Sequence, residues 1–97
     1  MQINLALQDG FDRDDVVVRV DGDEAYRGEE ITTRTQISHA ADTQLDVPDG
    51  PFTLEVEVPT RGVHESFQLD PQTQPNVAVS LLDGRLVVTY PEQLGFV

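Results

Sequence analysis

Apolar and polar residues alternate with a period of two along most of the chain, which is typical of β-strands with one buried face. The clearest run is 52–58, where four apolar residues alternate with one threonine and two glutamates. Shorter runs of β-branched or alternating residues predict further strands at 3–7, 16–20, 77–81 and 85–90. Weaker alternation predicts strands at 30–37, which is rich in threonine, near 45–47 and at 63–69.

Clusters of glycine, proline and aspartate separate these runs every eight to twelve residues. The strongest is Pro48-Asp49-Gly50-Pro51, and Asp83-Gly84 is the signature of a tight hairpin. We therefore expect seven or eight short strands and no significant helix. Because most strands have a single apolar face, we predict an all-β, two-layer antiparallel sandwich rather than a barrel. The pattern favours one domain over 1–97, with 91–97 as a C-terminal tail.

Charge and composition narrow the classes of function. The 97 residues include 18 acidic and six basic side chains, for a net charge of −12, and cysteine is absent. Such a charge repels phosphate, so we expect neither nucleic-acid nor membrane binding. The acidity fits either a surface adapted for solubility or high salt, or a face that binds a cationic partner. The N-terminus lacks a basic region before an apolar run, which favours a cytoplasmic protein.

The order of turn and strand motifs resembles a known group of folds. A strand ending in Val20-Asp21-Gly22 is followed by Tyr26-Arg27-Gly28, then by the Pro-Gly turn and the alternating strand 52–58. Over about 16–82 the chain is similar to transthyretin-like, carboxypeptidase-regulatory and PEGA-type accessory β-sandwiches. The resemblance implies a non-catalytic module of the kind often attached to larger, frequently extracellular proteins. The cytoplasmic expectation departs from that localisation.

One enzymatic branch of this group requires paired histidines and a C-terminal Tyr-Arg-Gly-Ser motif. Here Tyr26-Arg27-Gly28 is followed by Glu29 and lies in the first third of the chain. The two histidines, His39 and His64, fall in separate segments without metal-ligand spacing. We therefore expect neither that hydrolase activity nor a zinc site, and predict no cofactor.

Acidic residues near the predicted strand 16–20 are the candidate metal ligands. They are Asp9, Asp12, Asp14, Asp21 and Asp23. Carboxylate oxygens suit calcium, but the series from Asp12 places Val16 at the fifth EF-hand position. Five strand residues also separate the two groups by about 17 Å, so they cannot form one site. We therefore expect solvated turn carboxylates and no metal site, with calcium binding at either group as the alternative.

Two hypotheses for function remain. The first is a protein-binding or assembly module that acts through an edge strand at 31–37 or through the apolar tail residues Leu94, Phe96 and Val97. The tail could instead fold back over the domain itself. The second is a small enzyme or ligand carrier. Its candidate carboxylates are Asp12, Asp14, Glu55 and Glu57, although no catalytic motif supports them.

Overall fold

The computed structural model describes residues 1–34 and 40–92. Its strands are β1 (Gln2–Leu7), β2 (Asp14–Val20), β3 (Asp23–Ile31), β4 (Ala41–Asp46), β5 (Phe52–Val58), β6 (Val63–Leu69), β7 (Asn76–Leu82) and β8 (Arg85–Thr89). Within these ranges the helical structure is limited to a 3-10 turn at Pro59–Arg61. The described residues include no helix with the length and hydropathy needed to cross a membrane. The all-β prediction is confirmed.

The strands form two four-stranded sheets. The first sheet has the order β4-β1-β7-β8 and the second β3-β2-β5-β6. Every pairing is antiparallel except β1 with β7, which runs parallel from Asn4 opposite Asn76 to Leu7 opposite Val79. The predicted two-layer sandwich is therefore present, and its antiparallel character holds at all but this one pair. Each sheet has two edge strands: β4 and β8 in the first, β3 and β6 in the second.

The core lies between the inner faces of the two sheets, where the alternating residues meet. In β5 every apolar position is buried and every polar one is partly exposed, as the pattern predicts. On three of the four central strands, β1, β5 and β7, the inward residues are Ile3, Leu5, Leu7, Phe52, Leu54, Val56, Val58, Val77, Val79 and Leu81. Burying one such side chain contributes roughly 1.5–3 kcal/mol. Their joint burial holds the layers together.

The third strand is where the sequence prediction was wrong. The strand expected at 30–37 instead runs over Asp23–Ile31, and Thr32 and Thr33 lie outside it. Positions 35–37 lie outside the described residues. β3 has two register shifts against β2 and is mostly exposed, so its sequence does not alternate regularly between apolar and polar residues. The threonines fasten a loop: the Thr33 hydroxyl donates to the Gln8 carbonyl at 2.6 Å and accepts from the Phe11 amide at 2.9 Å.

Two glycines have geometric reasons. Gly10 has φ +90°, and a Cβ there would lie 1.6 Å from the Leu81 carbonyl oxygen. The β1–β2 connection can therefore cross the end of β7 only with glycine at this point. Asp83 and Gly84 both have positive φ, 52° and 73°, between β7 and β8. This is the tight hairpin that the Asp-Gly pair predicts.

Candidate functional site

The candidate metal ligands divide between the two ends of β2, as the sequence predicts. Asp9, Asp12 and Asp14 lie in the β1–β2 connection or at the start of β2, whereas Asp21 and Asp23 lie at the β2–β3 turn. Among residues 1–34 and 40–92, no group of three or more histidine, cysteine, aspartate or glutamate side chains is arranged to hold a metal ion. Solvated turn carboxylates stay the expectation for these residues, and calcium binding stays the alternative hypothesis.

Asp14 is a buried carboxylate whose oxygens are used within the fold. It accepts hydrogen bonds from the Asp12 amide at 2.9 Å, the Thr60 hydroxyl at 2.8 Å and the Arg61 Nε at 2.9 Å. Burial by itself raises the pKa of Asp14, but these three donors and the Arg61 charge outweigh it and lower the pKa. Asp14 therefore stays ionised and fastens the start of β2 to the 3-10 turn after β5.

Asp21 has a similar structural task at the other end of β2. Its Oδ1 accepts from the Thr53 amide at 2.9 Å, while its own amide donates to the Thr53 carbonyl at 3.0 Å. These bonds connect the β2–β3 turn to the start of β5.

The outer face of the second sheet carries a charged cluster, made of Arg19 on β2, Glu55 and Glu57 on β5, and His64 on β6. Arg19 Nη1 donates to Glu55 Oε2 at 2.9 Å, and Nη2 donates to Glu57 Oε1 at 3.0 Å. His64 Nε2 lies 2.7 Å from the same Glu55 Oε2. We call these four residues the charged ladder. Glu55 is its centre because its Oε2 contacts both Arg19 and His64.

The charged ladder sets the protonation state of its central residue. The hydrogen bond with His64, and then that with Arg19, lower the pKa of Glu55 in spite of some desolvation. The hydrogen bond to Glu57 is the main reason that the pKa of Arg19 is raised. A general acid in an enzyme usually needs the opposite shift, a carboxyl with a raised pKa. The ladder is arranged to hold fixed charges.

The sequence analysis listed Glu55 and Glu57 but missed their partners. His64 was considered only for metal-ligand spacing along the chain, which does not reveal a carboxylate on the neighbouring strand. Across the β5–β6 hairpin, however, Glu57 is directly opposite His64 and Glu55 is opposite Ser66. The sequence could have predicted this contact, because a hairpin closing over 59–62 fixes the register and places His64 on the same face as both glutamates.

An open groove lies at the sandwich edge where β3 and β4 leave the two layers unclosed. It has a volume of about 530 Å³, within the range of ligand-binding pockets. We call it the edge groove. Its apolar lining is Val20, Ala25, Leu45, Val47 and Pro48, and its polar lining is Asp21, Asp23, Glu24, Asp46 and Gln44. The second sheet contributes the half around the β2–β3 turn, and the first sheet contributes the end of β4.

Negative charge dominates the rim of the edge groove. All four of its carboxylates belong to exposed residues, whereas Leu45 and Val47 at its base are buried. Glu24 pairs with Arg27, with Glu24 Oε1 2.6 Å from Nη2. Asp46 accepts from Gln2 Nε2 at 3.1 Å. The groove thus joins an apolar base to a carboxylate rim with a local excess of negative charge.

The other sequence candidates lie outside the described residues: His39 and the tail residues Leu94, Phe96 and Val97. Of the carboxylates proposed for an enzyme, Glu55 and Glu57 meet through Arg19, whereas Asp14 belongs to a separate ion pair with Arg61. The structure does not bring all four together. Comparison with protein-family models, with curated proteins and with solved structures finds no match for this chain.

Proposed function

We propose that this protein is a non-catalytic protein-binding module that takes a basic, partly apolar segment of a partner protein in the edge groove. The observation that carries the proposal is the pairing of an apolar base with a carboxylate rim in one open groove. The accessible apolar lining offers contact to an apolar stem and consists of Val20, Ala25 and Pro48. Asp23 and Asp46 offer charge to a cationic head. Arginine and lysine side chains combine these two features.

Charge complementarity favours this occupant over other classes. The chain carries −12 overall, and its acidic field attracts cationic segments from solution while repelling phosphate and anionic lipid. A small metal ion would leave the apolar base of the groove unused. An extended protein segment can contact the base and the rim together, because alternate side chains of a strand point to opposite sides.

A binding role also agrees with the environment of the candidate catalytic carboxylates. Asp14 and Glu55 both have lowered pKa values, each caused by hydrogen bonds and cationic partners. Both are therefore ionised at neutral pH and engaged by donors from their own chain. We infer that they stabilise the fold and that the module acts by binding.

We further propose that the module is an accessory sandwich of the transthyretin-like type. Three motifs of the resemblance support this proposal. Asp21-Gly22 forms the β2–β3 turn with positive φ at both residues. Gly28 is buried in β3, where an added Cβ would lie 2.7 Å from the Tyr26 hydroxyl. Pro48–Pro51 immediately precedes β5.

The proposal is tested by titrating the protein with two fluorescent nonapeptides that alternate leucine with arginine or leucine with glutamate. We expect the arginine peptide to bind and its affinity to fall as salt rises, because the contact is partly electrostatic. The double variant Asp23→Asn/Asp46→Asn should weaken that binding by about tenfold. Fluorescence anisotropy at two salt concentrations measures both effects.

The matched control is Asp83→Asn/Glu65→Gln, which removes the same amount of charge at exposed positions away from the groove. We expect it to change the affinity by less than about twofold. Equal weakening by the two double variants would mean that net charge alone attracts the peptide. That result, or the absence of binding at low salt, contradicts the proposed groove.

A further inference from the structure

The outer face of the first sheet carries no acidic residue over three neighbouring strands, β1, β7 and β8. Because side chains alternate along a strand, residues next to the core positions of β1, β7 and β8 point away from the core. These outward residues are Asn4, Ala6, Asn76, Ala78, Ser80, Leu82, Val87 and Thr89. We call them the neutral face; Arg85 lies at its margin, opposite Leu82.

Two alanines on the neutral face are buried although they point away from the core. Ala6 is 0% exposed and Ala78 is 2% exposed. They are cross-strand partners of each other, and their other partners are Asp42 and Thr89. All of these side chains are short, so they offer little surface with which to cover a neighbour.

Val17, on the outer face of the second sheet, is an outward residue whose burial has a different explanation. It points outward from β2 and is only 2% exposed, but its cross-strand partners are Arg27 and Glu57. Long charged side chains can lay their aliphatic stems over such a residue. The two alanines have no partners of that length on the neighbouring strands, so their burial points to a covering chain.

The end of the described chain is fastened to the neutral face. An amide relay crosses the sheet: Gln44 Nε2 donates to Asn4 Oδ1 at 3.2 Å, and Asn4 Nδ2 donates to Asn76 Oδ1 at 2.9 Å. Asn76 Nδ2 then donates to the Glu92 carbonyl at 2.7 Å. The chain has therefore turned back from β8 towards β7 at the point where five residues remain.

We propose that the neutral face is the docking surface of the chain's own C-terminal segment, residues 93–97. Five extended residues reach about 17 Å. That distance carries the segment from Asn76 past Ala78 to Ser80. Leu94 and Phe96 are two positions apart, so an extended segment presents both to the same side. Small side chains on the sheet leave room for these two large ones.

The segment would end beside Val87, which is the cross-strand partner of Ser80. Val87 is 39% exposed in the described residues. The neutral face has no acidic residues and suits an apolar segment that also has none. The edge groove has an acidic rim and suits a basic segment. The docking proposed here is therefore independent of the groove, and either one can fail while the other holds.

Paramagnetic relaxation tests the proposal, because a chain without cysteine accepts a single label. A Gly-Cys extension after Val97 carries a nitroxide and leaves every native residue in place. We expect the amide signals of Ser80 and Val87 on the neutral face to lose more intensity than those of His64 and Ser66 on the outer face of the second sheet. Leu94→Ser/Phe96→Ser should abolish this selective loss without unfolding the sandwich.

A mixed sample separates docking on the same molecule from docking on a second copy. Labelled protein without ¹⁵N is combined with unlabelled ¹⁵N protein. The proposal is supported if selective signal loss occurs only in the sample whose molecules carry both the nitroxide and ¹⁵N. Selective loss in the mixed sample assigns the neutral face to a second copy and overturns it. Equal loss on both faces, or none, also overturns it.

Discussion

The two outer faces of the sandwich come from the same alternation but differ in chemistry. On the second sheet, Arg19, Glu55, Glu57 and His64 are joined by contacts of 2.7–3.0 Å. On the first sheet, the neutral face presents amides, alanines, hydroxyls and two exposed aliphatic side chains. A chain with 18 acidic residues thus places none of them among the outward positions of β1, β7 and β8.

The two faces differ in how their side chains are solvated. Half-exposed ion pairs keep a sheet face hydrated, and long charged side chains opposite a residue such as Val17 can lay their stems over it. A face of small and apolar residues has no such cover, and contiguous exposed apolar surface marks an interaction site. We therefore expect large energetic effects from changes on the neutral face and small ones on the charged ladder.

The largest effect is expected for Ala78→Glu in the middle of the neutral face. The substitution places a longer, charged side chain where the native methyl group is almost fully buried. Overpacking and desolvation together should lower the free energy of unfolding by about 3 kcal/mol. Urea denaturation followed by circular dichroism measures the loss.

The matched control makes the same substitution on the other sheet. Ala25 on β3 is exposed, and Ala25→Glu should change the unfolding free energy by no more than about 0.5 kcal/mol. If the two variants lose equal stability, the neutral face is as open to solvent as the edge of β3, and the contrast between the faces is wrong.

An intermediate effect is expected for Asp14→Asn, which compares an ion pair with a buried carboxylate to the half-exposed pairs of the ladder. The amide keeps the shape but loses the charge that Arg61 and two further donors stabilise. Because Arg61 is partly exposed, we expect a loss of about 2 kcal/mol rather than the larger loss seen for fully buried pairs. The exposed neighbour serves as control, since Asp12→Asn should stay within about 0.5 kcal/mol.

The sign of the pH dependence follows from the lowered pKa of Asp14. Its ionisation stabilises the fold above the ordinary aspartate pKa of 3.8, and this stability is lost as pH falls through the lower folded pKa. The difference between wild type and Asp14→Asn should therefore shrink below pH 3.8. A difference that persists there would assign the effect to altered packing.

How much of the fold the sequence could predict depended on how regular each strand was. β5 and β7 were found because their alternation is strict and Pro or Asp-Gly turns bound them. β3 was missed because its register shifts against β2 break the period of two, and because a strand at a sheet edge can carry charge on most positions. The parallel β1–β7 pair depends on long-range pairing, which local alternation does not encode.

The candidate sites were less predictable for a related reason. The edge groove combines the β2–β3 turn with the end of β4, two segments more than 20 residues apart that meet only through strand order. Its carboxylates Asp21 and Asp23 were noted as metal candidates, but Leu45 and Val47 were predicted only as part of a strand near 45–47. The contact between Glu55 and His64, by contrast, followed from hairpin register and was within reach of sequence reasoning.

The smallest effect is expected for Glu55→Gln at the centre of the charged ladder. The change removes the charge that Arg19 and His64 contact. Ion pairs on a solvated sheet face contribute little in water, so the melting temperature should fall by no more than about 4 °C in low salt. The loss should vanish near 1 M salt, where the screening length is only about 3 Å. Because the pKa of Glu55 is lowered, its contribution is present above pH 4.5 and is lost as pH falls through the folded pKa. Thermal melts of Glu55→Gln and of the exposed-site control Glu65→Gln, at two salt concentrations, measure this. A drop that high salt leaves unchanged would show that Glu55 acts by packing, and the two outer faces would then be held by the same force.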